Sequence, residues 1–257
     1  MPRETVDGYS LEYQIVIVQH PGAARGPIVF LHHGFGSIST WKDFPARVAQ
    51  QVGRNALVYA RAGCGYSDPL RAPRASDYLF DEAEVILPQL LDRLGLDRVV
   101  LFGHSDGAAI SRLFAAAFPD RVVQAVIEAP HVIIEEVTLS GVAEVARRYE
   151  QDPEFRQRVA QHHRDSDGAF WSWAQVWLNP AYRSWSMVDR LERVRSPLLL
   201  IQGDKDPYGT LKQLDLIERH VSGPTQRLVL AGCGHDPHLE CPDDVTEASR
   251  RFLNQAN

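Results

Sequence analysis

The chain has 257 residues, of which 44% are hydrophobic and 23% charged; at about 150 residues per domain this reads as one soluble domain with an insertion, able to bury a core without disulfides or metals. Its 27 basic residues against 33 acidic ones give a net charge of −6, which argues against a general nucleic-acid or polyphosphate binder. The cysteines, Cys64, Cys233 and Cys241, are few and odd in number, a usage that suits a reducing cytoplasm better than a disulfide framework, and neither a secretory signal nor an apolar run of about 18 residues is expected from the polar start Met1–Ser10 onward.

Residues 11–19 (LEYQIVIVQ) are rich in β-branched side chains and predict a strand that Pro21-Gly22 ends. Runs that are apolar throughout follow at 27–31, 56–60, 98–102, 122–128, 197–201 and 226–230, the pattern of strands buried on both faces of a parallel sheet. Helical patterns lie between them. One spans 41–53 from a candidate N-cap at Thr40. Another spans 77–94 after Ser76 and stops at Gly95, and an Ala-rich one covers 106–117. The last two are 211–220 and 243–253. Strands alternating with helices predict an α/β fold with helices on both faces of a mostly parallel sheet. The alternation pauses between Pro130 and Ser196, where charged helical patterns precede an aromatic cluster from Phe170 to Trp185. That stretch reads as a helical insertion, and no linker or repeat divides the chain.

Gly103-His104-Ser105-Asp106-Gly107 fits G-x-S-x-G. It follows one predicted strand and opens a helix, so Ser105 projects its hydroxyl from a sharp turn at the carboxyl end of the sheet. A serine hydroxyl needs a base, and the base needs an orienting acid. His235 follows the last strand in Gly232-Cys233-Gly234-His235, and Asp206 follows the one before it in Gly203-Asp204-Lys205-Asp206. Asp206 is the first choice of acid, with Asp204 next and Glu128, at the end of another strand, third. The backbone N–H groups of Asp106 and Phe35 are the candidate oxyanion donors, the second from the loop His32-His33-Gly34-Phe35-Gly36, where Gly34 lets the backbone come close.

These residues give the chain its resemblance to the α/β-hydrolase superfamily. The marks are His33 to Gly36, Arg61-Ala62-Gly63-Cys64-Gly65-Tyr66-Ser67, Gly103 to Gly107, Gly203-x-x-Asp206 and Gly234-His235. The resemblance implies an eight-stranded, mostly parallel sheet. It implies a core of residues 1–130 and 196–257 with a helical lid, 131–195, between strands six and seven, and Ser105, Asp206 and His235 as a triad. Serine in place of aspartate at position 105 disfavours the epoxide hydrolases and haloalkane dehalogenases of that superfamily.

Other groups read as structural. Cys233, His235, His238 and Cys241 do not have the spacing of a common closed zinc site, so no metal and no cofactor is expected. His32, His33, His104 and Cys64 read as packing residues near the site. Trp171, Trp173 and Trp177 either form the core of the insertion or line an apolar substrate pocket. The leading expectation is a cytoplasmic serine hydrolase, monomer or homodimer, acting on a small to medium ester, with no nucleic-acid or membrane partner. A carbon–carbon bond hydrolase with the same triad is the alternative, with Arg183 or Arg190 as candidates to bind a substrate carboxylate. The third reading is a hydrolase-fold protein that binds a small ligand without catalysis.

Overall fold

A computed structural model describes residues 1–19 and 26–255, so the expected strand stop at Pro21-Gly22 lies outside the described residues. In chain order the strands are β1 (Arg3–Val6), β2 (Tyr9–Val16), β3 (Ile28–Leu31), β4 (Ala56–Tyr59), β5 (Val99–His104), β6 (Val122–Glu128), β7 (Leu198–Gly203) and β8 (Thr225–Leu230). They form one sheet in the order β1-β2-β4-β3-β5-β6-β7-β8. From β4 to β8 every pairing is parallel; β2 runs antiparallel to both of its neighbours. This is the expected α/β architecture.

β1 has no counterpart among the runs read from the sequence. It is a four-residue, half-polar edge strand joined to β2 through Asp7 and Gly8, whose φ values of 49° and 78° suit a tight two-residue hairpin turn.

The core lies in two layers, as the period of two along each strand requires. Val29, Leu31 and Leu101 face one side; Ile28, Phe30, Val100 and Phe102 face the other. The second side is covered by α1 (Phe44–Val52), which packs with the C-terminal helix, Pro242–Asn254. The predicted helix 41–53 is shorter than expected. A 3₁₀ turn at Ser39–Trp41 precedes α1, which begins with Pro45 in its first turn. Thr40 caps no helix: its hydroxyl donates to the Ser37 carbonyl at 2.8 Å.

On the first side, the predicted helix 77–94 is interrupted. α2 (Tyr78–Asp81) opens after Asp77 rather than Ser76, a π turn spans Glu82–Ile86, and α3 (Leu87–Arg93) follows. Pro88 has no N–H to donate and its ring crowds the preceding turn, and the wider π turn accommodates both. α4 (Asp106–Ala117) is buried along nearly its whole length.

Between β6 and β7 the chain forms α5 (Glu136–Gln151), α6 (Pro153–Ala160), α7 (Ser166–Leu178) and α8 (Val188–Leu191). Asp152 caps α6 by accepting from Phe155 N at 3.0 Å, and Asp165 caps α7 by accepting from Gly168 N at 2.9 Å. The remaining helices are α9 (Lys212–His220), α10 (Pro237–Glu240) and α11 (Pro242–Asn254). Among the described residues no helix is long and apolar enough to cross a membrane.

The register aligns the carboxyl ends of the central strands. Leu31 pairs with Gly103, His104 with Glu128, Glu128 with Ile201, and Gly203 with Leu230. The loops after β3, β5, β6, β7 and β8 therefore leave the sheet at one edge. The turn after β5 is held by contact of bare backbone. A Cβ on Gly107 would lie 1.9 Å from the Leu31 carbonyl oxygen, and one on Gly103 would lie 2.2 Å from the Gly107 carbonyl oxygen. Gly107→Ala should therefore destabilise the fold by about 3 kcal/mol or leave it unfolded. Gly95→Ala, at φ 68° with open space around it, should cost only about 1–2 kcal/mol. Urea titration of the two variants beside the parent measures the difference.

Candidate active site

Ser105 stands where β5 turns into α4, with φ 56° and ψ −114°, a strained region for a residue with a Cβ. Neighbours hold it there. Its N–H donates to the Glu128 carbonyl at 3.0 Å, and its own carbonyl accepts from Ala108 N and Ala109 N at 2.9 and 3.1 Å. The strain turns the side chain out of the sheet edge into a cavity of about 350 Å³. Among the described residues the Ser105 hydroxyl makes no hydrogen bond in this conformation.

His235 lines the same cavity. Its Nδ1 meets Asp206 Oδ2 at 2.8 Å. Asp206 is fixed in turn by Gln202 Nε2 at 2.6 Å and Tyr208 N at 2.8 Å. The other two candidate acids are engaged elsewhere. Asp204 accepts from Gly232 N at 2.7 Å and braces the loop after β8. Glu128, fully buried, accepts from His238 N at 2.6 Å and meets His238 Nδ1 at 3.0 Å. His104 Nε2 meets the His235 carbonyl at 2.7 Å, and Glu240 accepts from Gly234 N and Asp236 N at 2.7 and 3.1 Å. The loop that carries His235 is thus tied down on both sides.

Burial sets the charges. It presses His235 toward neutrality, but the Asp206 carboxylate at its Nδ1, with Asp236 and Glu128 nearby, raises it to about 9. Burial alone would raise Asp206; His235 and the hydrogen bonds it accepts hold it below the ordinary aspartate value. The surrounding imidazoles go the other way. Burial lowers His104 to about 4 and His131 to about 3, and the positive charge of His235 itself adds to the effect on His131. An imidazole with one nitrogen on a carboxylate and the other free toward a cavity is equipped to take and return a proton.

The loop after β3 is held by its carbonyls. Buried Arg61 donates to the carbonyls of His32 and His33 at 2.7 Å each and of Gly34 at 3.3 Å. His163 bridges the loop to the insertion: Nδ1 accepts from Gly65 N at 2.8 Å and Nε2 meets the Phe35 carbonyl at 3.0 Å. Phe35 and Gly34 line the cavity. A Cβ on Gly34 would lie 2.1 Å from the Trp173 ring, so that indole is seated on bare backbone. Asp106 is fully buried and accepts from the Tyr78 hydroxyl, which in turn accepts from Trp177 Nε1 at 3.0 Å.

His32, His104 and Arg61 stand out in the sequence only as packing or motif residues, and the bracing by His163 and Tyr208 does not show there. The contacts of His163 lie about a hundred residues away in the chain and leave no local signal. Of the indoles, Trp173 and Trp177 line the cavity, whereas Trp171 faces another hollow with Pro69, Leu70 and Arg71. The spacing explains the split: residues four apart share a helix face, and residues two apart do not. Arg183 pairs with Glu136 and Arg190 with Glu84, both outside the cavity. His235 and His238 each commit Nδ1 to a carboxylate, and among the described residues no three such side chains are grouped to hold a metal ion.

The chain belongs to the alpha/beta hydrolase family, whose model matches residues 28–248. Uncharacterized proteins of Mycobacterium tuberculosis and Mycobacterium bovis are 30% identical over 136 residues, 52% of this chain and 36% of theirs, so the match spans about a third of those relatives. The human protein Serine hydrolase BPHL is 24% identical over 259 residues, covering 96% of this chain and 84% of that protein. Among solved structures, the enol-lactonase of Burkholderia xenovorans superimposes with a TM-score of 0.77 at 19% identity, over 99% of this chain and all of that one.

The raised His235 carries a consequence for stability. A group whose pKa rises from about 6.5 in the unfolded chain to about 9 in the fold stabilises fully below about pH 6.5, and that stabilisation is lost as pH climbs through about 9. The melting temperature should therefore decline between about pH 6.5 and 9. In Asp206→Asn that decline should flatten. Thermal melts across this range, parent against variant, measure it.

Proposed function

We propose that this hydrolase cleaves carboxylic esters of small to medium size through a Ser105–His235–Asp206 triad and an acyl-enzyme. The observation that carries the reading is that Ser105 and an Asp206-bound His235 open on one cavity. Ser105 Oγ attacks the carbonyl carbon while Nε2 of His235 in its neutral form, a fraction that grows as pH rises toward about 9, takes the proton. Asp206 holds the imidazole tautomer and stabilises the imidazolium. The N–H groups of Phe35 and Asp106 receive the oxyanion, the second also lying at the positive end of α4. Collapse expels the alcohol with the proton returned by His235. Water then enters, gives its proton to the same imidazole and releases the acid.

The cavity supports this scale of substrate: about 350 Å³ lies at the lower end for small-molecule sites. Its walls include Val142, Val145, Phe155, Trp173 and Trp177, surfaces for an apolar acyl or alcohol group. Residues 131–195 act in this reading as a lid, since α5, α6 and α7 supply those walls. Arg183 and Arg190, the residues expected to meet the carboxylate of a carbon–carbon hydrolase's substrate, are both paired outside the cavity.

The test is hydrolysis of p-nitrophenyl esters from acetate to laurate. Ser105→Ala should abolish turnover while leaving the melting temperature within a few degrees of the parent. Asp206→Asn should lower kcat by about 10⁴-fold. Undiminished turnover in Ser105→Ala would overturn the proposal, and the chain-length optimum measures the pocket.

A further inference from the structure

Two cations that reach solvent, exposed Lys42 and half-exposed Arg148, line the cavity, and neither has a part in the chemistry at Ser105. Lys42 has φ 53° and ψ −129°, nearly the backbone conformation of Ser105. Of the other non-glycine residues with positive φ, Asp7 turns the β1–β2 hairpin and Ala129 ends β6 beside Ser105. Lys42 sits just after the 3₁₀ turn, its N–H bonded to the Ser39 carbonyl at 3.2 Å. Glycine would take that conformation freely, so the lysine side chain is carried against the preference of its own backbone. Among the described residues no carboxylate pairs with it; the titratable group it acts on is His162, another lining residue.

Arg148 lines the cavity from α5. Its guanidinium stacks 4.6 Å over the Phe155 ring, with Nε 3.2 Å from Asp152. Thr138, Val142, Val145 and Arg148 form one stripe along α5, the spacing of a single helix face. At the inner end Thr138 donates to the Tyr208 carbonyl at 2.6 Å, and the Tyr208 ring lies 4.5 Å from that of His235. The stripe therefore runs from the reacting centre, past two valines, to a cation. Ten residues of helix span about 15 Å. Among the described lining residues the one carboxylate is Asp236, which stands at the imidazole end, 3.7 Å from His104 Nε2.

From this arrangement we infer that the substrate carries a carboxylate at the far end of an apolar segment, and that Lys42 with Arg148 binds it. With Arg148 already sharing Asp152, one unpaired positive charge remains, which matches a monoanionic carboxylate rather than a dianionic phosphate. The inference rests on Ser105 being the nucleophile and names the class of substrate for that site.

Two alkyl fluorophosphonates of equal length test it on the whole protein at low salt, one ending in a carboxylate and the other in its methyl ester, each made with a short and a long chain. Ser105 Oγ attacks phosphorus, His235 takes the proton and fluoride leaves, so the rate of modification reads binding without requiring turnover. The carboxylate reagent should modify Ser105 at least tenfold faster at one of the two lengths. High salt should shrink that preference, Lys42→Met should reduce it about tenfold, and the Lys42→Met/Arg148→Met pair should erase it. Lys42→Gly should lose the preference with an unchanged or higher melting temperature, which separates loss of the cation from loss of the fold. Equal rates for both reagents, or an undiminished preference in Lys42→Met, would overturn the carboxylate subsite alone. No modification of Ser105 by either reagent would overturn the nucleophile assignment and the subsite with it.

Discussion

The arrangement of the site follows from one close contact, the backbone of Gly107 against the carbonyl of Leu31. It brings the first turn of α4 onto the end of β3, so the loop after β3 and the turn after β5 share one small space. The candidate oxyanion donors come from those two segments. Ser105 is held in its strained turn because the contact leaves α4 one place to start. Strain of this kind persists only where the surroundings over-determine it. Here the surroundings are a fully buried strand, a nearly fully buried helix, and two glycines that no other residue could replace without displacing backbone.

A second constraint acts on charge. Imidazoles crowd the carboxyl edge of the sheet: His33, His104, His131, His235 and His238 all lie within it or beside it. A low-dielectric site cannot charge them all. Burial lowers His33, His104 and His131, which serve as neutral packing groups, His104 also meeting the His235 carbonyl. His235 is raised, because Asp206 reaches it. The carboxylate Glu128 is directed to His238 instead, which secures α10 and so the loop carrying His235. Two acids at the ends of neighbouring strands thus have separate tasks, one at the imidazole and one under its loop.

Much of this was legible in the sequence where the physics is local. The glycine spacing around Ser105, with a strand before it and a helix after, admits few other structures, and the apolar runs sufficed for the parallel strands. Where partners are distant the sequence was silent. Asp204 and Asp206 both follow β7, and nothing short of the folded loop decides which carboxyl turns inward. β1 was missed because an edge strand carries little apolar pattern, although Asp7-Gly8 marked its turn. The helix at 77–94 was read as continuous because Pro88 was weighed less than the periodicity around it. Trp171 could have been set apart by helical phase from Trp173 and Trp177. His163 could not have been assigned to the Phe35 loop by any local rule.

The central claim is that Ser105 carries the acyl group between two chemical steps. Acid quenching of the protein during turnover of p-nitrophenyl acetate, followed by intact-mass and peptide-mass measurement, tests it most directly. The account predicts one added acetyl group, located on the peptide containing Ser105. Continued hydrolysis with no added mass, or an acetyl group on any other residue, would contradict it.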